Sequence, residues 1–66
     1  MGRALTKREK EVLTLLYRGM SYSHIASALY ITVNTVKYHT KNIYSKTGAR
    51  NRVELMAKQM KAEKLP

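Results

Sequence analysis

The short spacing of residues that begin and end helices constrains this sequence most. Thr6 and Glu9 have the spacing of a capping box, in which each side chain accepts a hydrogen bond from a backbone N–H group. Gly19 follows as a helix stop. The apolar residues between these signals recur at helical spacing, so we predict a first helix over about residues 7–18.

The same signals indicate two further helices, separated by a very short turn. Ser21 is a candidate N-cap for a helix over residues 22–29. Thr32 is a candidate N-cap for a longer helix over residues 33–47, which Gly48 ends. Because only three residues separate the two helices, they are predicted to form a helix-turn-helix.

A fourth helix is predicted over about residues 52–61, because Asn51 and Glu54 have capping-box spacing and apolar residues follow them. The predicted fold class is therefore all-α, a four-helix domain with its helix-turn-helix at about residues 21–47. The chain of 66 residues has the length of one small domain, residues 1–66, with a thin core. We expect the following apolar residues in that core: Val12, Leu13, Leu16, Ile25, Ala26, Leu29, Val36 and Ile43.

The third helix has three different faces when its residues are placed at about 100° intervals. The polar and basic face contains Asn34, Lys37, Tyr38, Lys41 and Ser45. The opposite face contains Val36, Thr40, Ile43 and Thr47, and the flank between them contains Thr35, His39, Asn42 and Lys46. β-branched residues at the start of this segment favour a strand by propensity, but no alternation of period two continues beyond them. A helix therefore accounts for the pattern better.

Positive charge is concentrated in the middle of the chain. The sequence has 13 Lys and Arg residues against four Glu and no Asp, which gives a formal net charge of +9. None of the acidic residues lies between residues 12 and 53. Lys37 and Lys41 form a like-charge pair one helical turn apart, which is mildly destabilising unless an anion lies nearby. Such a distribution predicts a polyanionic partner: duplex DNA, RNA or an anionic membrane.

Several other function classes find little support in the composition. The sequence has no Cys and only two His, so we expect no metal site, and nothing in it indicates a cofactor or a small-molecule ligand. It shows no paired nucleophile and base, so we expect no enzyme. No apolar run is long enough to span a membrane and no signal peptide is visible, so we expect a cytoplasmic protein.

Several spaced motifs resemble a known family. The segments LTKREKEVLTLLYRGMS, IASALYI, TVKYH and RVEL occur in this order between Leu5 and Met60. Together they resemble the LuxR-type (GerE-like) DNA-binding domain, which is also the output domain of NarL/FixJ-class response regulators. The resemblance implies a four-helix domain that binds specific sequences of duplex DNA with its third helix in the major groove. It also implies a homodimer formed through the fourth helix.

The resemblance places base contacts on Lys37, Tyr38 and Lys41 and backbone contacts on Thr35 and His39. Both lysines can donate to guanine, or can neutralise phosphate without specificity, and Tyr38 can contact a thymine methyl group or a phosphate. His39 is alternatively a buried structural residue. This sequence departs from the family pattern at Tyr38, where a small or aliphatic residue is frequent, and at His24, where a glutamate is frequent.

Further contacts are predicted from position and charge. The start of the second helix offers free amides to phosphate, and the flank of the third passes the sugar-phosphate backbone. The additional candidates for backbone contact are Ser21, Tyr22, Ser23, Asn34, Lys46, Arg50 and Arg52. Ser21 is in addition a helix cap, and Arg52 alternatively pairs with Glu9. The dimer seam is expected at Val53, Met56 and Met60, which alternatively close the core.

Two other hypotheses remain at this stage. A promoter-recognition domain like region four of a sigma factor shares the helix-turn-helix, and RNA polymerase is a candidate partner in either case. A nonspecific cationic domain that binds RNA or membranes is less well supported, because the tyrosines are scattered and no long amphipathic helix is present.

The family usually has a receiver or ligand-binding domain before this segment. We therefore expect a domain cut from a longer regulator rather than a natural single-domain regulator.

Overall fold

Four α-helices account for most of the described chain. The computed structural model describes the backbone of residues 4–63 and the side chains of residues 4–58. The helices are α1 (Lys7–Tyr17), α2 (Tyr22–Leu29), α3 (Val33–Thr47) and α4 (Arg52–Glu63). No strand occurs within residues 4–63, which confirms the all-α fold class. Over the same residues, no helix is long and apolar enough to cross a membrane.

The predicted caps begin the helices as expected, with one difference in detail. In the capping box of α1, the Thr6 hydroxyl accepts from the Glu9 N–H, and the Glu9 carboxylate accepts from the Thr6 N–H. Before α4, the Asn51 side chain accepts from the Glu54 N–H at 2.9 Å. The Glu54 carboxylate, however, accepts from the N–H of Arg50 rather than of Asn51. Of the two hydrogen bonds predicted for the second capping box, therefore, only one is present.

Two helices end in the same hydrogen-bonded motif, which the sequence signals only once. After α1, Gly19 has φ +83°, and the N–H of Met20 donates to the carbonyl of Leu15 at 3.2 Å. After α2, Tyr30 has φ +59°, and the N–H of Ile31 donates to the Ala26 carbonyl at 2.9 Å. Both are the Schellman arrangement, which places one residue in the left-handed region. Glycine usually occupies that position, so no residue type predicted this helix end at a tyrosine. The predicted end of the first helix was one residue too late, because Arg18 is already its C-cap.

The core lies between α3 and the other helices. Seven of the eight predicted core residues are buried, and the eighth, Leu29, is partly buried against them. Ala49 and Leu55 are also buried, although they were not among the predicted core residues. Leu55 is only 1% exposed, and through it α4 contributes to the same core.

A buried ion pair connects the start of α1 with the end of α3. The Lys46 ammonium lies 2.8 Å from the Glu9 carboxylate, and the Glu9 side chain is only 4% exposed. The hydrogen bond from Lys46, together with the backbone N–H of Thr6, holds the pKa of Glu9 below its ordinary value. Buried carboxylates are stabilised by such partners, so this contact fixes the two helices relative to each other.

A second cation connects α4 with the end of α1. The Arg52 guanidinium donates to the carbonyls of Leu16 and Met20, both at 3.0 Å. The Leu16 carbonyl in the last turn of α1 also accepts from the Gly19 N–H, and Met20 lies in the turn after the helix. The Arg52 guanidinium therefore connects α4 with both the end of α1 and this turn. The expected alternative pairing of Arg52 with Glu9 was wrong, because Glu9 pairs with Lys46 instead.

We expect Arg52→Met to lower the free energy of unfolding by about 1.5–3 kcal/mol, because it removes charge-assisted hydrogen bonds to two carbonyls. Arg50→Met is the matched control: Arg50 is a neighbouring arginine whose side chain is exposed. Urea denaturation followed by circular dichroism measures both variants. Equal stability of the two would show that the Arg52 contacts contribute nothing.

We expect Glu9→Gln to make stability less dependent on pH in the acid range. A carboxyl whose folded-state pKa is lowered stabilises the protein above its unfolded pKa, and this contribution is lost as pH falls through the folded value. For Glu9 the loss begins near the ordinary value of 4.5 and continues below it. The melting temperatures of wild type and variant should therefore converge as pH is lowered from neutral.

Glu11→Gln serves as the control for this experiment. Glu11 pairs with Arg8 at 3.1 Å, but both side chains are more than 40% exposed, and exposed pairs contribute little. Its substitution should leave the pH profile almost unchanged. A constant difference between wild type and Glu9→Gln at every pH would contradict the assigned role of Glu9.

Candidate nucleic-acid interface

The three predicted faces of α3 differ in burial. Every residue predicted on the polar face is exposed, from Asn34 to Ser45, and Val36, Thr40 and Ile43 on the opposite face are buried. The four flank residues are all partly buried. The hydroxyl of the buried Thr40 donates to the Val36 carbonyl at 2.8 Å, so it does not disturb the apolar core. One side of α3 is therefore fixed in the core, and the other is free for a partner.

The predicted base-contacting residues lie together on this free side. Lys37 and Lys41 are exposed, and the Tyr38 side chain between them is 63% exposed. Neither lysine has an ion-pair partner within the described part of the chain. The Tyr38 ring packs edge-on against the ring of His39, with 5.6 Å between the centroids. The result is a positively charged helix face with an aromatic ring at its middle.

The flank of α3 holds three of the predicted backbone contacts beside this face. The Thr35 hydroxyl lies 2.9 Å from the hydroxyl of Thr32, which caps the helix. His39 is partly buried, and its Nδ1 atom is buried without a hydrogen-bond partner among the described residues. Lys46, on the same flank, is held by Glu9.

The start of α2 presents a smaller polar group than predicted. Ser21 caps the helix through the His24 N–H, and its hydroxyl also lies 3.0 Å from the His24 ring. Ser23 is exposed, but Tyr22 is partly buried against the core. Tyr22 also neighbours Tyr44, whose pKa is raised, mainly because burial desolvates its hydroxyl and secondarily through Tyr22. The exposed residues at this end are therefore the two serines and His24.

The remaining candidates lie around α4. Arg50 is exposed, whereas the Arg52 side chain is directed to the end of α1. Val53 is 79% exposed, and Met56 is partly buried against the core. Met60 lies outside the residues whose side chains are described. Of the predicted dimer seam, Val53 is thus the exposed apolar side chain, and Met56 already has contacts within the domain.

The internal partners of Lys46 and Arg52 were not predicted from the sequence. Each partner lies more than 30 residues away in the sequence, and for Arg52 it is a pair of backbone carbonyls. No residue type or spacing signals such a contact. Among the side chains that the structure describes, those of residues 4–58, no group of three or more His, Cys, Asp or Glu is placed to hold a metal ion.

Comparison with known proteins identifies the family. Residues 3–58 match the family described as "Bacterial regulatory proteins, luxR family". The chain is 46% identical over 54 residues to a probable transcriptional regulatory protein, SgaR, of Hyphomicrobium methylovorum. It is 48% identical over 50 residues to the response regulator protein VraR of Staphylococcus aureus. These alignments cover 82% and 76% of this chain, but only 26% and 24% of the relatives.

A solved structure agrees with this assignment. The crystal structure of the response regulator ChrA, from a heme-sensing two-component system, is similar with a TM-score of 0.79 and 41% sequence identity. The similarity covers 89% of this chain and 30% of the ChrA chain. This chain thus spans about a quarter to a third of the length of the proteins it resembles. It is a helix-turn-helix domain that belongs to the LuxR family of bacterial regulatory proteins.

Proposed function

We propose that residues 1–66 act as one DNA-binding domain, which binds specific sequences of duplex DNA to regulate transcription. The observation that carries the proposal is the continuous exposed face of α3, which contains Lys37, Tyr38 and Lys41. The relatives support the same function, because they are named transcriptional regulatory and response regulator proteins.

The dimensions and chemistry of this face suit the major groove. The groove is about 12 Å wide and admits an α-helix, whose diameter with side chains is about 10–12 Å. Ammonium groups at Lys37 and Lys41 can donate to guanine O6 and N7, and the Tyr38 ring can contact a thymine methyl group. Because the opposite face of α3 is held in the core, these side chains would enter the groove in a fixed orientation.

Contacts to the DNA backbone would surround this face. Ser21 and Ser23 lie at the N-terminus of α2, where free amides and the helix dipole favour phosphate. Thr35 and His39 lie on the flank of α3, and Arg50 follows that helix. Such contacts set the register of a protein on DNA without recognising sequence.

Three other predicted backbone contacts are less well placed for this role. Lys46 and Arg52 have internal partners, and Tyr22 packs against the core. Their substitution would change folding and DNA binding together. We therefore propose the interface without them.

We further propose that the domain binds DNA as a homodimer through α4. Val53 supports this proposal, because an apolar side chain that is 79% exposed gains from burial against a second subunit. RNA polymerase is a further proposed partner, as for other regulators of transcription. The match to the LuxR family over residues 3–58 favours this function over a sigma-factor domain.

Lys37→Ala and Lys41→Ala should each lower discrimination at one base-pair position by about 1–3 kcal/mol. The reason is that each removes a donor aimed at base edges. Selection from random duplexes, followed by affinity measurements on the recovered site and its single-base variants, measures this change. Lys10→Ala, which removes an exposed lysine of α1, is the control and should leave base preference unchanged.

Affinity should in addition fall steeply with salt concentration, because each neutralised phosphate releases counterions. Recovery of no motif by the wild-type protein would contradict specific recognition. A uniform loss of affinity on all sequences in both lysine variants would assign them to phosphate contacts instead.

Val53→Glu should abolish cooperative binding to two adjacent half-sites and leave binding to a single half-site nearly unchanged. A carboxylate at an apolar subunit contact is desolvated without a partner, whereas in the monomer it remains in water. Gel-shift titration on one-site and two-site duplexes measures both quantities. Unchanged cooperativity would place the dimer contact elsewhere. We choose Val53 rather than Met56 because Met56 also packs against the core.

A further inference from the structure

Asn34 differs from the other two asparagines of the chain in having a fully available side chain. Its amide is exposed and makes no hydrogen bond within the described residues. Asn51, in contrast, caps α4 through its side-chain oxygen. Asn42 lies on the partly buried flank of α3. The Asn34 amide is therefore free to bind a partner without breaking any contact inside the domain.

Asn34 lies on the face of α3 that carries the proposed base contacts, and not on the flank of that helix. It lies on the same exposed face as Lys37, Tyr38 and Lys41, one turn closer to the N-terminus of α3. The N-terminal residues of a recognition helix are those that contact base edges. The phosphate contacts proposed for this helix lie on the neighbouring flank, at Thr35 and His39.

The chemistry of the side chain also fits a base better than a phosphate. A carboxamide has both donor and acceptor atoms, and in the major groove it pairs with the N6 donor and the N7 acceptor of adenine. A phosphate offers acceptors alone, so it would use only the amide nitrogen of Asn34 and leave the oxygen to water, whereas adenine uses both. We infer that Asn34 is a specificity-determining residue that recognises adenine.

The helix geometry gives the place of this adenine in the binding site. Asn34 and Lys41 are seven residues apart, which corresponds to roughly 10 Å along the α3 axis. Residues about one turn apart on a helix in the major groove contact successive bases, so the adenine should lie about two base pairs from the base recognised by Lys41. The half-site therefore has an adenine at one end and the Lys41 guanine toward the other.

This inference rests on the proposed function, and one selection experiment separates the two. Random duplexes are selected with the wild-type domain, Asn34→Ala, Asn42→Ala and Lys41→Ala, after circular dichroism has shown that each variant is folded. Asn42→Ala is the matched control, because it removes the same amide from the flank of the same helix.

We expect the wild-type motif to contain an adenine whose preference falls about 5- to 150-fold in Asn34→Ala, with the other positions retained. That position should lie about two base pairs from the one affected in Lys41→Ala. Asn42→Ala should retain the adenine preference.

Other outcomes overturn the inference in distinct ways. A motif that Asn34→Ala leaves unchanged would refute recognition by Asn34 while the proposed function stands. A uniform loss of affinity over all sequences would make Asn34 a phosphate contact. A wild-type selection without any motif would refute both the inference and the proposed function.

Discussion

Burial of one face of α3 determines the arrangement of the whole domain. Val36 and Ile43 are completely buried, and the other helices place apolar side chains against them. A chain of this length buries too little surface for a second core, so each helix must contribute to this one. The consequence for the opposite face is direct. Since α3 cannot rotate without exposing its apolar side, its exposed side chains keep one orientation relative to the rest of the domain.

Two cations of this strongly basic chain stabilise the fold, whereas two cations on the exposed face of α3 have no acidic partner among the described residues. Lys46 binds the buried Glu9, and Arg52 binds the carbonyl of Leu16 in the last turn of α1 and that of Met20 in the turn that follows. Lys37 and Lys41 lie one turn apart on α3, with no acidic partner among the described residues, so their mutual repulsion persists in the free protein. A polyanion removes that repulsion on binding. The unpaired charges thus weaken the free domain slightly, and in the proposed complex they would strengthen binding to DNA.

Local signals in the sequence predicted the helices and the faces of α3 well, because capping and periodicity depend on neighbouring residues. The bounds of α2 and α3 agree with the predictions, as does the capping box at Thr6. The interactions of Lys46 and Arg52 were not predictable in this way. A residue that pairs across more than 30 positions, or with a backbone carbonyl, leaves no pattern in the sequence. For the same reason, the sequence did not show that two of the predicted phosphate contacts, Lys46 and Arg52, have partners inside the domain.

The turn between α2 and α3 shows which residues fix the helix-turn-helix angle. A left-handed conformation costs a bulky residue about 1–2 kcal/mol relative to the right-handed one, yet Tyr30 adopts it and its side chain is 95% exposed. The exposed ring gains no packing that would offset this cost. The next residue, Ile31, is partly buried against the core, and its N–H closes the end of α2. Thr32 then caps α3. Burial of Ile31 and the cap at Thr32 therefore impose the turn, and Tyr30 takes the backbone conformation that they require.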